Sequence, residues 1–228
     1  MTNDKKTLKV WDPLVRIGHW TLVISFFTAY FTEDDFMTLH VWAGYVVGGY
    51  LLIRILWGHV GGKYARFSNF VYSPVKIIGY LKNLITCKPQ HYIGHNPAGG
   101  AMVVALLLSL AVTTLTGLKL YAVEDNKGPF AIPVKQARTQ IQSTSLILVA
   151  QKEDNKNEGE ESELINNEHE INNQGEEYWE ELHEVFTNLT LLLVFLHIFG
   201  VVVSSYIDKE KLVKAMLTGK KDIDDTYQ

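Results

Sequence analysis

Apolar residues are concentrated in four blocks of this 228-residue chain. The blocks cover residues 16–32, 36–57, 98–122 and 181–206. The last three have about the 20 residues that an α-helix needs to cross the hydrocarbon core of a bilayer. The first is shorter and reaches that thickness only with its flanking residues. The pattern predicts an all-α protein, a four-helix transmembrane bundle.

The first block also resembles a secretory signal peptide, because basic residues precede it. However, no small-residue cleavage site follows the block, and the polar His19 lies where a signal peptide has its apolar core. We therefore interpret this block as a retained helix.

Lys and Arg predict the orientation of the bundle, since cytoplasmic loops carry an excess of both. The N-terminal arm, the segment between the second and third blocks, and the C-terminal tail are rich in them, whereas the turn between the first two blocks has none. The connection 123–180 has 13 acidic and five basic residues. We therefore expect arm 1–15 and tail 207–228 in the cytoplasm and the membrane domain at 16–206. Connection 123–180 becomes a long acidic periplasmic loop, largely disordered over 151–174 because that stretch is rich in Glu and Asn.

Composition restricts the chemistry. The net charge is −4 and no basic excess exists, which argues against nucleic acid as a partner. Cys87 is the only cysteine, so an internal disulfide, a cysteine-rich iron–sulfur site and a c-type haem attachment are excluded. A metal or cofactor would have to be held by histidine.

Four of the eight histidines lie within the apolar blocks, where an ionisable residue indicates function. His183 and His197 share the fourth block and are 14 residues apart, which is about 40° short of four full helical turns. Both side chains therefore point the same way, roughly 21 Å apart along the axis. This distance is too long for one metal ion and suits two haems stacked across a bilayer.

The predicted topology supplies a partner for each of these two histidines. His40 is at the outer level with His183, and His19 is at the inner level with His197. Two axial imidazoles make iron six-coordinate, which suits electron transfer. Arg16 and Arg54 lie at the cytoplasmic ends of their helices, where they are candidate partners of haem propionates. Ordinary positive-inside anchoring is the alternative for both.

Other polar and small residues receive weaker assignments. Gly44 and Gly48 permit close approach of either a helix or a flat cofactor. Ser73-Pro74 predicts the start of a short helix on the inner membrane face. The remaining histidines are not assigned as ligands: His59, His91, His95 and His169.

Several motifs resemble the bacterial cytochrome b561 and nickel–iron hydrogenase b-type cytochrome family. They span residues 9–206 and comprise Val10-Trp11-Asp12-Pro13 with Arg16 and His19-Trp20, His40-Val41-Trp42-Ala43-Gly44-Tyr45, Arg54-Ile55-Leu56-Trp57-Gly58, Gly94-His95-Asn96-Pro97-Ala98-Gly99-Gly100, Thr116-Gly117, and Trp179-Glu180-Glu181-Leu182-His183-Glu184 with His197. The resemblance implies two b haems in a four-helix bundle of the bacterial inner membrane, with axial ligands at the same four histidines.

We therefore predict a di-haem b-type cytochrome that carries electrons between quinone or quinol and a periplasmic redox partner. The acidic loop suggests a basic partner such as a c-type cytochrome, since complementary charge steers encounter. The alternative is that the acidic residues only keep the loop solvated. One alternative is a membrane-anchor cytochrome b subunit of a hydrogenase or dehydrogenase complex. A second is a histidine-relay transporter of protons or metal ions. No catalytic constellation is recognisable, so quinol or quinone oxidoreductase activity stays open, as does the oligomeric state, a homodimer included.

Overall fold

A computed structural model of the chain describes residues 6–86, 92, 94–131, 160–207 and 211–223. It contains four helices that are long and apolar enough to cross a membrane. These are α1 (Pro13–Phe31), α2 (Met37–Val60), α4 (Pro97–Glu124) and the Gly175–Ile207 part of α5 (Glu160–Ile207). The prediction of four membrane-spanning helices is confirmed, and the chain is an integral membrane protein.

The first helix begins before the predicted boundary because its start is set by a polar cap. Asp12 is the N-cap residue, and its Oδ1 accepts a hydrogen bond of 3.0 Å from the backbone N of Val15. Pro13 follows at the first helical position, where a missing N–H costs nothing. The other Asp12 oxygen accepts from Nε1 of Trp57 at 2.8 Å, which joins the start of α1 to the end of α2.

The last long helix begins at Glu160, well before the predicted start near residue 181. Residues 160–180, predicted as part of an irregular loop, are therefore helical. The sequence prediction recognised only the apolar part of this helix, whereas Glu and Gln also favour the helical backbone without burial. The rest of the acidic connection, residues 132–159, lies outside the described residues.

A short helix, α3 (Pro74–Ile85), lies between α2 and α4 in the chain. Ser73 occupies its N-cap and Pro74 its first position, as predicted. Val75, Ile78 and Leu81 are exposed on it. A 3-10 turn at Phe67–Asn69 precedes it.

The two ends of the described chain form a small sheet that the sequence analysis did not predict. Strand β1 (Lys6–Lys9) pairs antiparallel with β2 (Lys220–Ile223), so that Lys9 lies opposite Lys220. Helix α6 (Leu212–Thr218) leads into β2 and ends at Gly219, whose φ of 79° is the left-handed conformation that glycine adopts readily. Both ends therefore lie together on one side of the bundle.

The chain divides into two compact units, residues 1–114 with 187–228 and residues 115–186. The apolar core of the first unit lies between four helices. It is built from buried Phe26, Val47, Leu51 and Leu110, against which Leu22, Phe27, Leu107, Ala111, Leu191 and Val194 pack. Many other apolar side chains on these helices are exposed, as expected of residues that face lipid rather than water.

Candidate functional site

Two predicted ligands face each other within the first unit. His19 of α1 and His197 of α5 have ring centroids 6.4 Å apart, with an angle of 55° between their planes. We call them the tail-side pair, because they lie toward the paired ends of the chain. Two axial imidazoles on one metal ion require roughly 6 Å between ring centres, the sum of two bonds of about 2 Å and two ring radii. The observed spacing therefore fits one iron between the rings.

A buried guanidinium near this pair fits the acidic groups of a haem. Arg54 is only 4% exposed, and its CZ lies 4.9 Å from the ring centre of Phe67 and 5.8 Å from that of Phe70. One terminal nitrogen is buried and makes no hydrogen bond to any described residue. Because an unpaired buried charge is costly, this donor indicates an anionic ligand such as a haem propionate. The geometry supports the predicted role of Arg54.

Arg16, the other predicted propionate partner, is engaged elsewhere. Its terminal nitrogens donate to the carbonyl oxygens of Leu217 and Thr218, the latter at 3.2 Å. A cation at these last carbonyls caps α6 and compensates its dipole. Only Nε remains buried without an acceptor. Arg16 therefore fits a propionate less well than Arg54, and its observed contacts tie α1 to the C-terminal segment.

His95 was not assigned by the sequence analysis, but it belongs to the same region. Its ring centroid lies 4.6 Å from those of Trp11 and Phe70, and its Nδ1 is buried without a hydrogen-bond partner among the described residues. Burial, with lesser contributions from Arg54 and His197, lowers the pKa of His95 to about 4. The ring is therefore neutral at physiological pH.

The local sequence explains why His95 is held there. The next residue, Asn96, accepts a hydrogen bond of 2.7 Å from the backbone N of Gly99 and so caps α4. At Gly100 a Cβ would fall 2.1 Å from the carbonyl oxygen of Phe70, so only glycine permits this approach. The position of His95 directly before an Asn-Pro helix start could have indicated that its backbone is fixed. Its burial could not be predicted, because its partners Trp11 and Phe70 are distant in sequence.

Among the described residues, the unassigned His59 touches this region only through Phe67, with 5.8 Å between the two ring centroids. It is exposed, and its Nδ1 lies 2.8 Å from the carbonyl oxygen of Ile55 within the same helix. His91 lies outside the described residues, and nothing is described of the His169 side chain.

We call His40 and His183 the loop-side histidines, after the level that the sequence analysis predicts for them. His40 lies in the first turn of α2, and its Nδ1 is 2.9 Å from the carbonyl oxygen of Ala29. Gly44, one turn further along the same face, has open space where a Cβ would be, whereas a Cβ on Gly48 would lie 3.0 Å from Thr114. Of the two interpretations of this glycine pair, close helix approach thus applies at Gly48, whereas the space next to Gly44 is open.

His183 belongs to the second unit, where α4 shapes its surroundings. Its Nδ1 lies 3.1 Å from Oγ1 of the buried Thr116. The adjacent Gly117 would place a Cβ 2.8 Å from Cε1 of His183, so the missing side chain lets the ring lie against the helix. The pairing of His183 with His40 stays a prediction.

Comparison of the sequence with known proteins identifies the family of the chain. The sequence model of prokaryotic cytochrome b561 matches residues 10–219. The chain belongs to the prokaryotic cytochrome b561 family. Membership of a b-type cytochrome family implies haem b, the group that the facing imidazoles and the unpaired guanidinium fit.

Curated relatives of this cytochrome b561 carry a more specific name. A probable Ni/Fe-hydrogenase B-type cytochrome subunit from Bradyrhizobium diazoefficiens is 28% identical over 52% of this chain and 59% of its own length. Proteins of the same name from Azotobacter chroococcum and Azotobacter vinelandii are 28% and 29% identical, over 62% and 59% of their lengths. The chain thus spans about three fifths of each of these relatives. No solved structure matches it.

Proposed function

We propose that this cytochrome b561 is the membrane cytochrome b subunit of a hydrogenase- or dehydrogenase-type complex, and that it carries electrons through two haems b between that complex and quinone. Electron transfer by a membrane cytochrome b follows from the family. The haem count, the complex and the quinone are the parts that we propose.

The observation that carries the proposal is the 6.4 Å spacing of the His19 and His197 rings. The two histidines come from helices far apart in sequence, and both rings are half-buried beside the apolar core. A neutral imidazole nitrogen is a good iron ligand, and iron held by both residues would have no open position for substrate or oxygen. The site is therefore suited to passing electrons and not to binding a reactant at the metal.

When bound, haem would supply one-electron redox chemistry at its iron. The chain's own residues would orient and insulate it. His19 and His197 would each supply a ring nitrogen to the iron, and Arg54 would bind a propionate carboxylate. The aromatic rings of Phe67 and Phe70 cover the guanidinium and keep water from it.

A second haem is proposed at the loop-side histidines. His40 and His183 each have Nδ1 within hydrogen-bond distance of an oxygen, at 2.9 Å and 3.1 Å respectively, so each would bind iron through Nε2. The open space beside Gly44 supports a flat cofactor next to His40.

The relatives favour one of the two partners that the sequence analysis considered. All of the relatives described above are named as hydrogenase cytochrome subunits, which supports the membrane-anchor alternative over a free carrier to a periplasmic c-type cytochrome. The bacterial inner membrane, with both ends of the chain in the cytoplasm, remains our proposed location. The pairing of β1 with β2 supports a common side for the two ends.

Quantitative haem extraction with a reduced-minus-oxidised spectrum tests the haem count and the pairing. Wild-type protein should contain two haems per chain. His19→Ala, His197→Ala and their double variant should lose the same spectral component. His40→Ala and His183→Ala should both lose the other. His59→Ala is the matched control and should keep both haems, since its exposed ring faces the carbonyl of Ile55. Absence of a Soret band in wild type would reject the function.

Purification in mild detergent with an affinity tag tests the complex. The proposal expects an iron–sulfur or hydrogenase-type enzyme to co-purify in a fixed ratio to the cytochrome. A fully haem-loaded chain that purifies alone and reduces a soluble c-type cytochrome would instead support the free carrier.

A further inference from the structure

The hydrogen bond of His40 determines which of its ring nitrogens can bind a metal. Its Nδ1 lies 2.9 Å from the carbonyl oxygen of Ala29, in the last turn of α1. A carbonyl oxygen can only accept, so Nδ1 must carry the proton. The lone pair of the neutral ring is then on Nε2. In the proposed loop-side site, His40 would therefore bind iron through Nε2.

At His183, the oxygen next to Nδ1 belongs to a side chain and not to a backbone carbonyl. Oγ1 of Thr116 lies 3.1 Å from Nδ1 of His183, and Thr116 is 3% exposed. A threonine within a helix commonly donates its own proton to a carbonyl one turn earlier, which leaves its oxygen free to accept. Gly117 allows the ring to approach α4 closely enough for this contact.

We propose that Thr116 is a positioning residue for the loop-side haem. Its hydroxyl accepts a hydrogen bond from Nδ1–H of His183, directs Nε2 toward the iron and makes the imidazole a stronger electron donor. A stronger donor stabilises ferric over ferrous iron and lowers the reduction potential. The inference deepens the proposed function and rests on its assignment of His183 as an axial ligand.

The tail-side pair shows no corresponding bond. Among the residues that the structure describes, Nδ1 of the buried His19 has no hydrogen-bond partner. Loss of the Thr116 hydroxyl should therefore change one haem and leave the other as it is.

Thr116→Val removes the hydroxyl and keeps the shape of the side chain, whereas Thr116→Ser restores the hydroxyl. Thr113→Val is the matched control. Thr113 is also a threonine of α4, but its hydroxyl donates to the carbonyl of Ser109 at 3.0 Å and lies 3.1 Å from Oγ1 of Thr190. Each full-length variant is loaded with haem and titrated potentiometrically with optical detection. The loop-side component is identified as the one missing in His183→Ala.

In Thr116→Val the reduction potential of the loop-side haem should rise. At a fixed applied potential, its oxidised-to-reduced ratio should change about fivefold, as expected for the loss of one hydrogen bond. Thr116→Ser and Thr113→Val should titrate as wild type does. If Thr116→Val loses the haem, Thr116→Cys is titrated instead, because a thiol is a weaker acceptor and predicts the same direction. An unchanged potential, or an equal shift of both haems, overturns the inference. Since wild type must first show two haems, that result is distinct from failure of the proposed function.

Discussion

The two sets of histidines differ in the polar groups that surround them. The loop-side histidines, His40 and His183, each have Nδ1 within 3.1 Å of a backbone or side-chain oxygen. In the tail-side pair, Nδ1 of His19 has no such oxygen among the described residues. The buried positive charge nearby is Arg54, one of whose terminal nitrogens also has no hydrogen-bond partner among the described residues. In the proposed function, the first arrangement would act on the ligands of a haem, whereas the second would act on its propionates.

This difference would have opposite consequences for the reduction potentials of the two proposed haems. Hydrogen bonds that strengthen the axial ligands favour ferric iron and lower the potential. A buried positive charge favours the added electron and raises the potential, strongly so in a low-dielectric site. We therefore expect the loop-side haem to have the lower potential and the tail-side haem the higher one.

The largest effect is expected from filling the space beside His40. Gly44→Leu places a bulky side chain where the structure leaves room one turn from His40, so the loop-side haem should be lost and the tail-side haem retained. Haem content and the spectrum measure this. Gly49→Leu is the control, because Gly49 also has open space around it but is exposed on the helix. Equal haem content in the two variants would remove the support that Gly44 gives to a haem at His40.

A moderate effect is expected from Arg54. Arg54→Gln removes the buried charge and should lower the potential of the tail-side haem, by about 1 kcal/mol or more for a unit charge at an effective dielectric near 20. Arg54→Lys keeps the charge and should stay closer to wild type. Potentiometric titration resolves both variants. If Arg54→Gln moves the loop-side component instead, the assignment of Arg54 to the tail-side haem is wrong.

The smallest effect is expected from Arg16. Arg16→Met removes the cation from the last carbonyls of α6 and should destabilise the C-terminal segment by about 0.5–1 kcal/mol, the usual contribution of a charge at a helix end. Faster hydrogen exchange over 212–223, at unchanged haem content and potentials, would show this. Arg66→Met is a suitable control, since Arg66 donates at 2.8 Å to the carbonyl of Gly61, away from this segment. A clear loss of the tail-side haem would restore Arg16 as a propionate ligand.

Sequence alone was sufficient for the features that depend on local pattern. Helix length and hydropathy located the four spans, and the cap residues Ser73 and Pro74 located α3. The same kind of argument failed at Glu160, because a hydropathy pattern does not show where a polar helix begins.

The four histidines were selected as candidate ligands from the sequence because an ionisable residue in an apolar helix is rare and because helical spacing is regular. Their ligation of haem stays a prediction. Contacts between distant segments were decided only by the tertiary structure. The chain order does not indicate that Arg16 would meet Leu217 and Thr218, that His95 would lie between Trp11 and Phe70, or that Thr116 would reach His183. Each of these contacts depends on how helices pack, and packing depends on shape complementarity between side chains that no local pattern encodes.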